Sequence, residues 1–262
     1  KNIVGMNNVK HQLVELKKFL ELQTKLEKLG KEMPKFNLHM MFLGNAGTGK
    51  TTIARMVAQT LFDLGYVREN KCIEVEAKDL IAAYSGQTPL KTGRAINSAL
   101  GGVLFIDEAY SMKSDTAVTV LIQEMENRRD NVIVILAGYS ERMKAFMEIN
   151  EGLVSRVPYW IDFPDYNTDE LTEIFRLMTK ERGFSITEDA LNNARCIFEK
   201  ARHKENFGNG RYARNLLENA IQKQSVRLMG KRGSAGDIRK KELFLITGQD
   251  IESMRELDEE KD

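Results

Sequence analysis

Leu38-His-Met-Met-Phe-Leu-Gly44-Asn-Ala-Gly-Thr-Gly49-Lys50-Thr51 decides how this chain is read. Leu38 to Leu43 is a short apolar run, which reads as a buried strand. Gly44, Asn45, Ala46, Gly47, Thr48, Gly49, Lys50 and Thr51 then form the G-x-x-x-x-G-K-T pattern of a phosphate-binding loop, continued by Thr52. Glycines let backbone amides converge on phosphate oxygens, and a helix starting at Lys50 adds its positive end. Lys50 brings a compact charge to the β- and γ-phosphates, and the Thr51 hydroxyl suits Mg²⁺. A dinucleotide loop does not fit, because Gly47-Thr-Gly49 lacks the third glycine at the required spacing.

Outward from this loop, strands alternate with helices. Helical spacing runs from Asn7 or Asn8, either of which can cap it, to Leu29, with Gly30 as the stop. Lys50 to Leu64 is helical and ends at Gly65. Cys72 to Val75 is a second strand, and Thr88 to Leu100 a helix closed by Gly101 and Gly102. Val103 to Ile106 is a wholly apolar strand that delivers Asp107 and Glu108 at its C-terminal end. Ligands gather at that end in open α/β sheets, so Asp107 can hold Mg²⁺ and Glu108 can polarise an attacking water. Helix Ala117 to Asn127, strand Val132 to Ala137, helix Glu141 to Ile149 and strand Tyr159 to Phe163 complete the pattern. It predicts an α/β fold with a parallel five-stranded sheet sandwiched by helices.

After Pro164 the pattern changes. Asp169 to Arg182, Glu188 to Lys204 and Tyr212 to Met229 are helical, and Leu243 to Thr247 carries a strand signal. The expected domains are a nucleotide-binding core over 1–164 and a small helical lid over 165–262. Gly230 to Lys241 is polar and basic and reads as a solvated loop.

The 262 residues hold 39 Lys+Arg against 38 Asp+Glu, with 42% hydrophobic content. The net charge of +1 argues against a chain that coats nucleic acid or anionic membrane. No apolar run approaches the roughly 20 residues of a membrane span, so no membrane insertion is expected. Cys72 and Cys196 make no disulfide framework and read as reduced, packed thiols, hence a cytoplasmic protein. His11, His39 and His203 stand without ligand-spaced partners, so no built-in transition-metal site is expected.

On these motifs the sequence resembles the AAA+ ATPases, and within them the branch of stage V sporulation protein K and the red-type Rubisco activases. The resemblance rests also on Ala83-Tyr-Ser-Gly-Gln-Thr88, Gly101 to Tyr110, Leu136-Ala-Gly-Tyr139 and Ile161 to Tyr166. It implies Mg²⁺-dependent ATP hydrolysis with Lys50 and Glu108 as catalytic groups. It implies that Arg156 is an arginine finger reaching a neighbour's γ-phosphate, hence a homo-oligomer, with a hexameric ring suggested by the family. It implies that Arg211 is the lid's sensor for the γ-phosphate, with Arg214 one turn on, and that Ile3, Val4 and Gly5 border the adenine. Tyr84, Ser85 and Gly86 match a pore loop that grips a protein substrate. Tyr139 stands where many AAA+ proteins place a polar sensor. The connection from Tyr110 to Ala117 is shorter than in close relatives, where a second pore loop lies.

The resulting expectation is a ring-forming ATPase that remodels or threads a protein through a central pore, with a link to sporulation. The alternatives are a nucleic-acid motor or loader, for which the basic residues Lys231, Arg232, Arg239, Lys240 and Lys241 speak, or a nucleotide-gated assembly switch. A monomeric small-molecule kinase would explain the phosphate loop but not Arg156 or Tyr84. Nucleic acid is an unlooked-for partner because aromatic residues do not interleave that basic stretch.

Overall fold

The computed structural model describes residues 3–31, 34, 36–82, 87–112, 115–205, 207–231 and 241–251. By packing, the chain divides into two compact units. One comprises Met6–Asn45 and Gly49–Pro164; the other comprises Asp165–Asp262 with Lys1–Gly5 and Ala46–Thr48. The change of unit at Pro164 coincides with the change of sequence pattern. The two short N-terminal pieces join the C-terminal unit because their backbones are hydrogen-bonded or closely packed there, as described below.

The first unit runs α1 (Asn7–Lys28), β1 (Met40–Gly44), α2 (Lys50–Asp63), β2 (Cys72–Glu76), α3 (Ala77–Leu80), α4 (Thr88–Ala99), β3 (Val103–Asp107), α5 (Asp115–Asn127), β4 (Ile133–Gly138), α6 (Ser140–Ile149), α7 (Glu151–Val154) and β5 (Tyr159–Phe163). The strands form one parallel sheet in the order β2-β3-β4-β1-β5. Burial follows from alternation along each strand. Met41, Leu43, Leu104, Ile106, Val134 and Leu136 share one core cluster with Leu80, Ile96, Leu121, Met125 and Met143 from the helices. The alternate residues Met40, Phe42, Phe105 and Ile135 are buried too. With both faces covered, β1, β3 and β4 read as unbroken apolar runs, as a doubly covered parallel sheet requires.

The second unit holds α8 (Thr168–Glu181), β6 (Ser185–Ile186), α9 (Glu188–Ala201), α10 (Gly210–Lys231) and β7 (Leu245–Ile246). Asn167 and Glu170 form a capping box that starts α8. Phe175, Phe198 and Tyr212 bring α8, α9 and α10 together through edge-on ring contacts. Asp250, 1% exposed, takes a bidentate pair from Arg227 at 2.7 and 2.9 Å and a further bond from the Thr247 amide.

Three local expectations need correction. No asparagine side chain caps α1: Met6 precedes it in a left-handed conformation (φ 55) without a side-chain cap bond. Cys196 is exposed rather than packed, because it falls on the outer side of α9. Cys72 is half-buried, and burial pushes its thiol up to about 11. The stretch 230–241 begins inside α10, which runs on to Lys231, and residues 232–240 lie outside the described region.

His39, 2% exposed, ties β1's entry to its neighbours. Its Nδ1 accepts from the Val134 amide at 3.0 Å, so its Nε2–H donates to the Met125 carbonyl at 3.2 Å. Burial lowers its pKa to about 4, against smaller opposing effects from Met125 and Glu126. The unfolded chain binds a proton near pH 6.5 while the folded one resists it, so stability is full above that pH and falls as pH drops toward about 4. The expected loss is on the order of 3 kcal/mol. Denaturant midpoints between pH 7 and pH 4.5 should therefore fall more steeply in the wild type than in His39→Gln.

Candidate functional site

The phosphate-loop sequence lies between β1 and α2, where strand–loop–helix context was expected. Gly44 ends β1 beside Phe163 of β5, and a Cβ there would sit 2.3 Å from the Phe163 carbonyl oxygen. Gly47 (φ 73) and Gly49 (φ 93) turn the backbone through left-handed conformations that side chains resist. Gly49 precedes α2 without a side-chain cap, and the first turn of α2 holds no acidic residue. That end therefore keeps its positive partial charge for an anion.

Lys50, 9% exposed, folds back on the loop that it follows. Its Nζ donates to the Gly44 and Asn45 carbonyls at 2.8 Å each. Thr51 is half-buried and Thr52 exposed. The loop thus has the backbone freedom, the helix end and the ammonium that bound phosphate needs.

Asp107 and Glu108 leave the end of β3, with β4 between that strand and β1. Because the sheet is parallel, both strands discharge on the same edge. Glu108 takes a left-handed conformation (φ 51), unusual for a side-chain-bearing residue, and its amide donates to Asp107 Oδ1 at 3.0 Å. The turn leaves Glu108 exposed and Asp107 half-buried. Local strain of this kind is a marker of functional positions.

Next to this pair stands a cluster that the sequence reading left out. The Arg142 guanidinium carbon lies 5.3 Å from the ring centroids of both Tyr110 and Tyr139. Tyr139, at the expected sensor position, thus faces a cation held by two aromatic rings. Burial raises the Tyr110 hydroxyl above its ordinary pKa, with Arg142 opposing. The signal was present in sequence as Tyr139-Ser-Glu-Arg142, one helical turn, but nothing in that spacing pointed to Tyr110.

The other expected residues are placed as follows. Arg156 follows α7 and donates to the Gly152 carbonyl at 2.9 Å and to Ser155 Oγ at 3.3 Å, with its Nε 3.4 Å from Glu126 Oε2. Asn37 holds its carbonyl at 2.7 Å. Arg211 is exposed in the first turn of α10, as is Arg214 in the next. Ile3 and Val4 are half-buried, and Gly5 (φ 58) packs so closely on Glu170 that a Cβ would overlap its carboxylate at 2.0 Å. Tyr84, Ser85 and Gly86 lie outside the described residues. The short connection after Tyr110 opens with a 3-10 turn, Ala109–Ser111, and residues 113 and 114 are also outside them.

This fold and this loop define a P-loop nucleotide-binding ATPase. The comparisons with known proteins are specific. The ATPase family associated with various cellular activities (AAA) matches residues 40–164, and the AAA lid domain matches residues 167–261. Protein CfxQ of Xanthobacter flavus is 39% identical over 260 residues, which cover 92% of this chain and 82% of that protein. Stage V sporulation protein K of Bacillus subtilis is 37% identical, covering 95% of this chain and 79% of its own length. The chloroplastic ribulose bisphosphate carboxylase/oxygenase activase of Cyanidioschyzon merolae is 36% identical, with 96% and 88% covered. Among solved structures, the Thermotoga maritima RuvB Holliday junction branch migration motor matches with a TM-score of 0.65 over 97% of this chain and 70% of that chain. At 20% identity that likeness shows the fold alone. The chain belongs to the AAA family of ATPases, in the branch of stage V sporulation protein K and the CfxQ/CbbX proteins. No helix among the described residues is long and apolar enough to cross a membrane.

Gly138, the last residue of β4, admits the Tyr110 ring: a Cβ would meet its Cδ1 at 2.7 Å and its Cε1 at 2.8 Å. Gly138→Ala should displace Tyr110 and break the aromatic–guanidinium cluster. Overpacking of this kind costs about 1–3 kcal/mol, to be read from urea denaturation midpoints. An unchanged midpoint would mean that the ring moves aside without cost.

Proposed function

We propose that this chain is a subunit of an ATP-driven ring that remodels a protein substrate. The observation that carries the reading is the phosphate loop and the Asp107–Glu108 step on one edge of one sheet. In this reading the Gly44–Thr52 backbone binds the triphosphate, Lys50 contacts the β- and γ-phosphates, and Ile3, Val4 and Gly5 border the adenine. Thr51 and Asp107 offer the oxygen donors that Mg²⁺ prefers. When bound, Mg²⁺ neutralises charge on the phosphate oxygens.

Glu108 orients and polarises the water that attacks the γ-phosphorus as the bond to the β-phosphate oxygen breaks. Its exposed, left-handed position supports that role. Arg156 exchanges its contacts with Glu126 and Gly152 for a neighbouring subunit's γ-phosphate. Such a finger contributes about 10³ to 10⁵ in rate in related NTPases. Arg211, with Arg214 nearby, senses the γ-phosphate of its own chain.

A finger supplied in trans calls for a closed homo-oligomer, and AAA family membership supports a hexamer. Tyr84, Ser85 and Gly86 line the pore and grip a polypeptide, and the chain works in the cytoplasm. The names of the relatives, a sporulation protein and a Rubisco activase, support a protein client and leave sporulation as one setting. A nucleic-acid motor is not favoured, since the RuvB likeness carries the fold alone.

Three variants test the reading. Glu108→Gln should bind ATP, lower turnover by at least about 10²-fold and retain a protein client in a pull-down. Tyr84→Ala should keep ATP turnover and lose remodelling of that client; full remodelling would sink the pore-loop role. Arg156→Ala should lower turnover by about 10³-fold or more in the assembled ring. Turnover indifferent to this change would favour an assembly switch over a motor.

A further inference from the structure

Three consecutive carbonyls at the tip of the phosphate loop accept hydrogen bonds, all from the same unit of the fold. Asn209 Nδ2 donates to the Ala46 carbonyl at 3.3 Å. The Gly210 amide donates to the Gly47 carbonyl at 3.0 Å. Tyr166 Oη donates to the Thr48 carbonyl at 3.2 Å. Ala46–Thr48 belong by packing to the C-terminal unit, and these bonds are why.

Peptide planarity gives the arrangement its meaning. In a trans peptide the C=O of one residue and the N–H of the next point to opposite sides. Anchoring the carbonyls of Ala46, Gly47 and Thr48 therefore turns the amides of Gly47, Thr48 and Gly49 the other way. Those amides are the groups that a phosphate-binding loop must present.

Asn209 is built into this arrangement rather than lying against it. It is fully buried, at 0% exposure, and stands at φ 47. Its Oδ1 accepts from the Tyr166 amide at 3.0 Å, while Nδ2 also donates to Asp165 Oδ1 at 2.7 Å and contacts the Phe207 carbonyl at 3.4 Å. One amide group thus fixes the exit of β5, the start of α10 and the loop tip. The approach is close: a Cβ on Gly47 would lie 2.1 Å from the Gly208 carbonyl oxygen, and one on Gly210 would lie 2.9 Å from the Gly47 carbonyl oxygen. Tyr166 is 7% exposed, and burial pushes its hydroxyl up to about 12, so it remains a donor at neutral pH.

We infer that Asn209 and Tyr166 are positioning residues for nucleotide phosphate, acting by holding the carbonyl side of the loop so that its amide side is preformed. The inference rests on the reading that ATP binds at Gly44–Thr52. It adds a consequence: ordering of the 165–166 and 208–210 segments and phosphate affinity are linked, each favouring the other.

The test is titration of the full chain with a ribose-labelled fluorescent ADP analogue, alongside denaturation of the nucleotide-free protein. Tyr166→Phe removes only the hydroxyl. Asn209→Gly removes the amide while tolerating the positive φ. Each should raise the Kd by about two- to tenfold, the range of one neutral hydrogen bond. A merely structural role would lower the nucleotide-free denaturation midpoint and leave the Kd of the folded fraction unchanged. Wild-type affinity in folded Tyr166→Phe, or in folded Asn209→Gly, overturns the inference. Failure of the wild type itself to bind the analogue, with Lys50→Ala as the blank, would instead remove the ATP reading beneath it.

Discussion

A loop that binds phosphate with its backbone must turn its amides inward, and its carbonyls must then find partners elsewhere. Buried carbonyls left without partners cost free energy, so this is a firm constraint on the surrounding structure. The chain answers it carbonyl by carbonyl. Gly44 and Asn45 give theirs to the Lys50 ammonium. Ala46, Gly47 and Thr48 give theirs to Asn209, Gly210 and Tyr166. The glycines at 47 and 210 follow from the same demand, because backbones approach there more closely than side chains permit. Lys50 partners the loop's own oxygens, and in the proposed reading it carries charge for phosphate as well.

The sheet was largely legible in the sequence because its central strands are buried on both faces. Unbroken apolar runs such as Val103 to Ile106 leave little choice of structure. The boundaries moved where burial and pairing part company: Leu38 is buried, yet β1 pairs only from Met40. Short elements were missed for a physical reason. The two residues of β6 pair with β7 some sixty positions later, and α3 and α7 are single turns. Neither is long enough to show a period. The helix expected from Asp169 begins at Thr168, one residue earlier, where the capping box of Asn167 and Glu170 fixes its first turn.

The site was legible in part, for the same kind of reason. Gly44 to Thr52 and Asp107–Glu108 are contiguous, so the chemistry proposed for them follows from spacing. Asn209 and Arg142 could not be read in this way. Each acts through residues distant in sequence: Asn209 through Ala46 and Asp165, Arg142 through Tyr110 and Tyr139. Asn209 lies two residues before Arg211, and its neutral amide carries no charge or spacing that marks it in the sequence. Glu126 was likewise invisible until α5 and the turn before β5 were placed side by side.

The position of β4 has a metric consequence. Neighbouring strands lie about 4.8 Å apart, so one intervening strand sets the axes of β1 and β3 about 10 Å from each other. In the proposed reading that width leaves room for a phosphoryl group with a water on its far side, whereas direct neighbours would crowd the two. β4 is therefore a ruler as well as a core strand. It is hydrogen-bonded to β1 and β3 at once, so the gap cannot widen without breaking a ladder in the middle of the sheet. The distance between loop and carboxylates is consequently a property of the most buried part of the molecule.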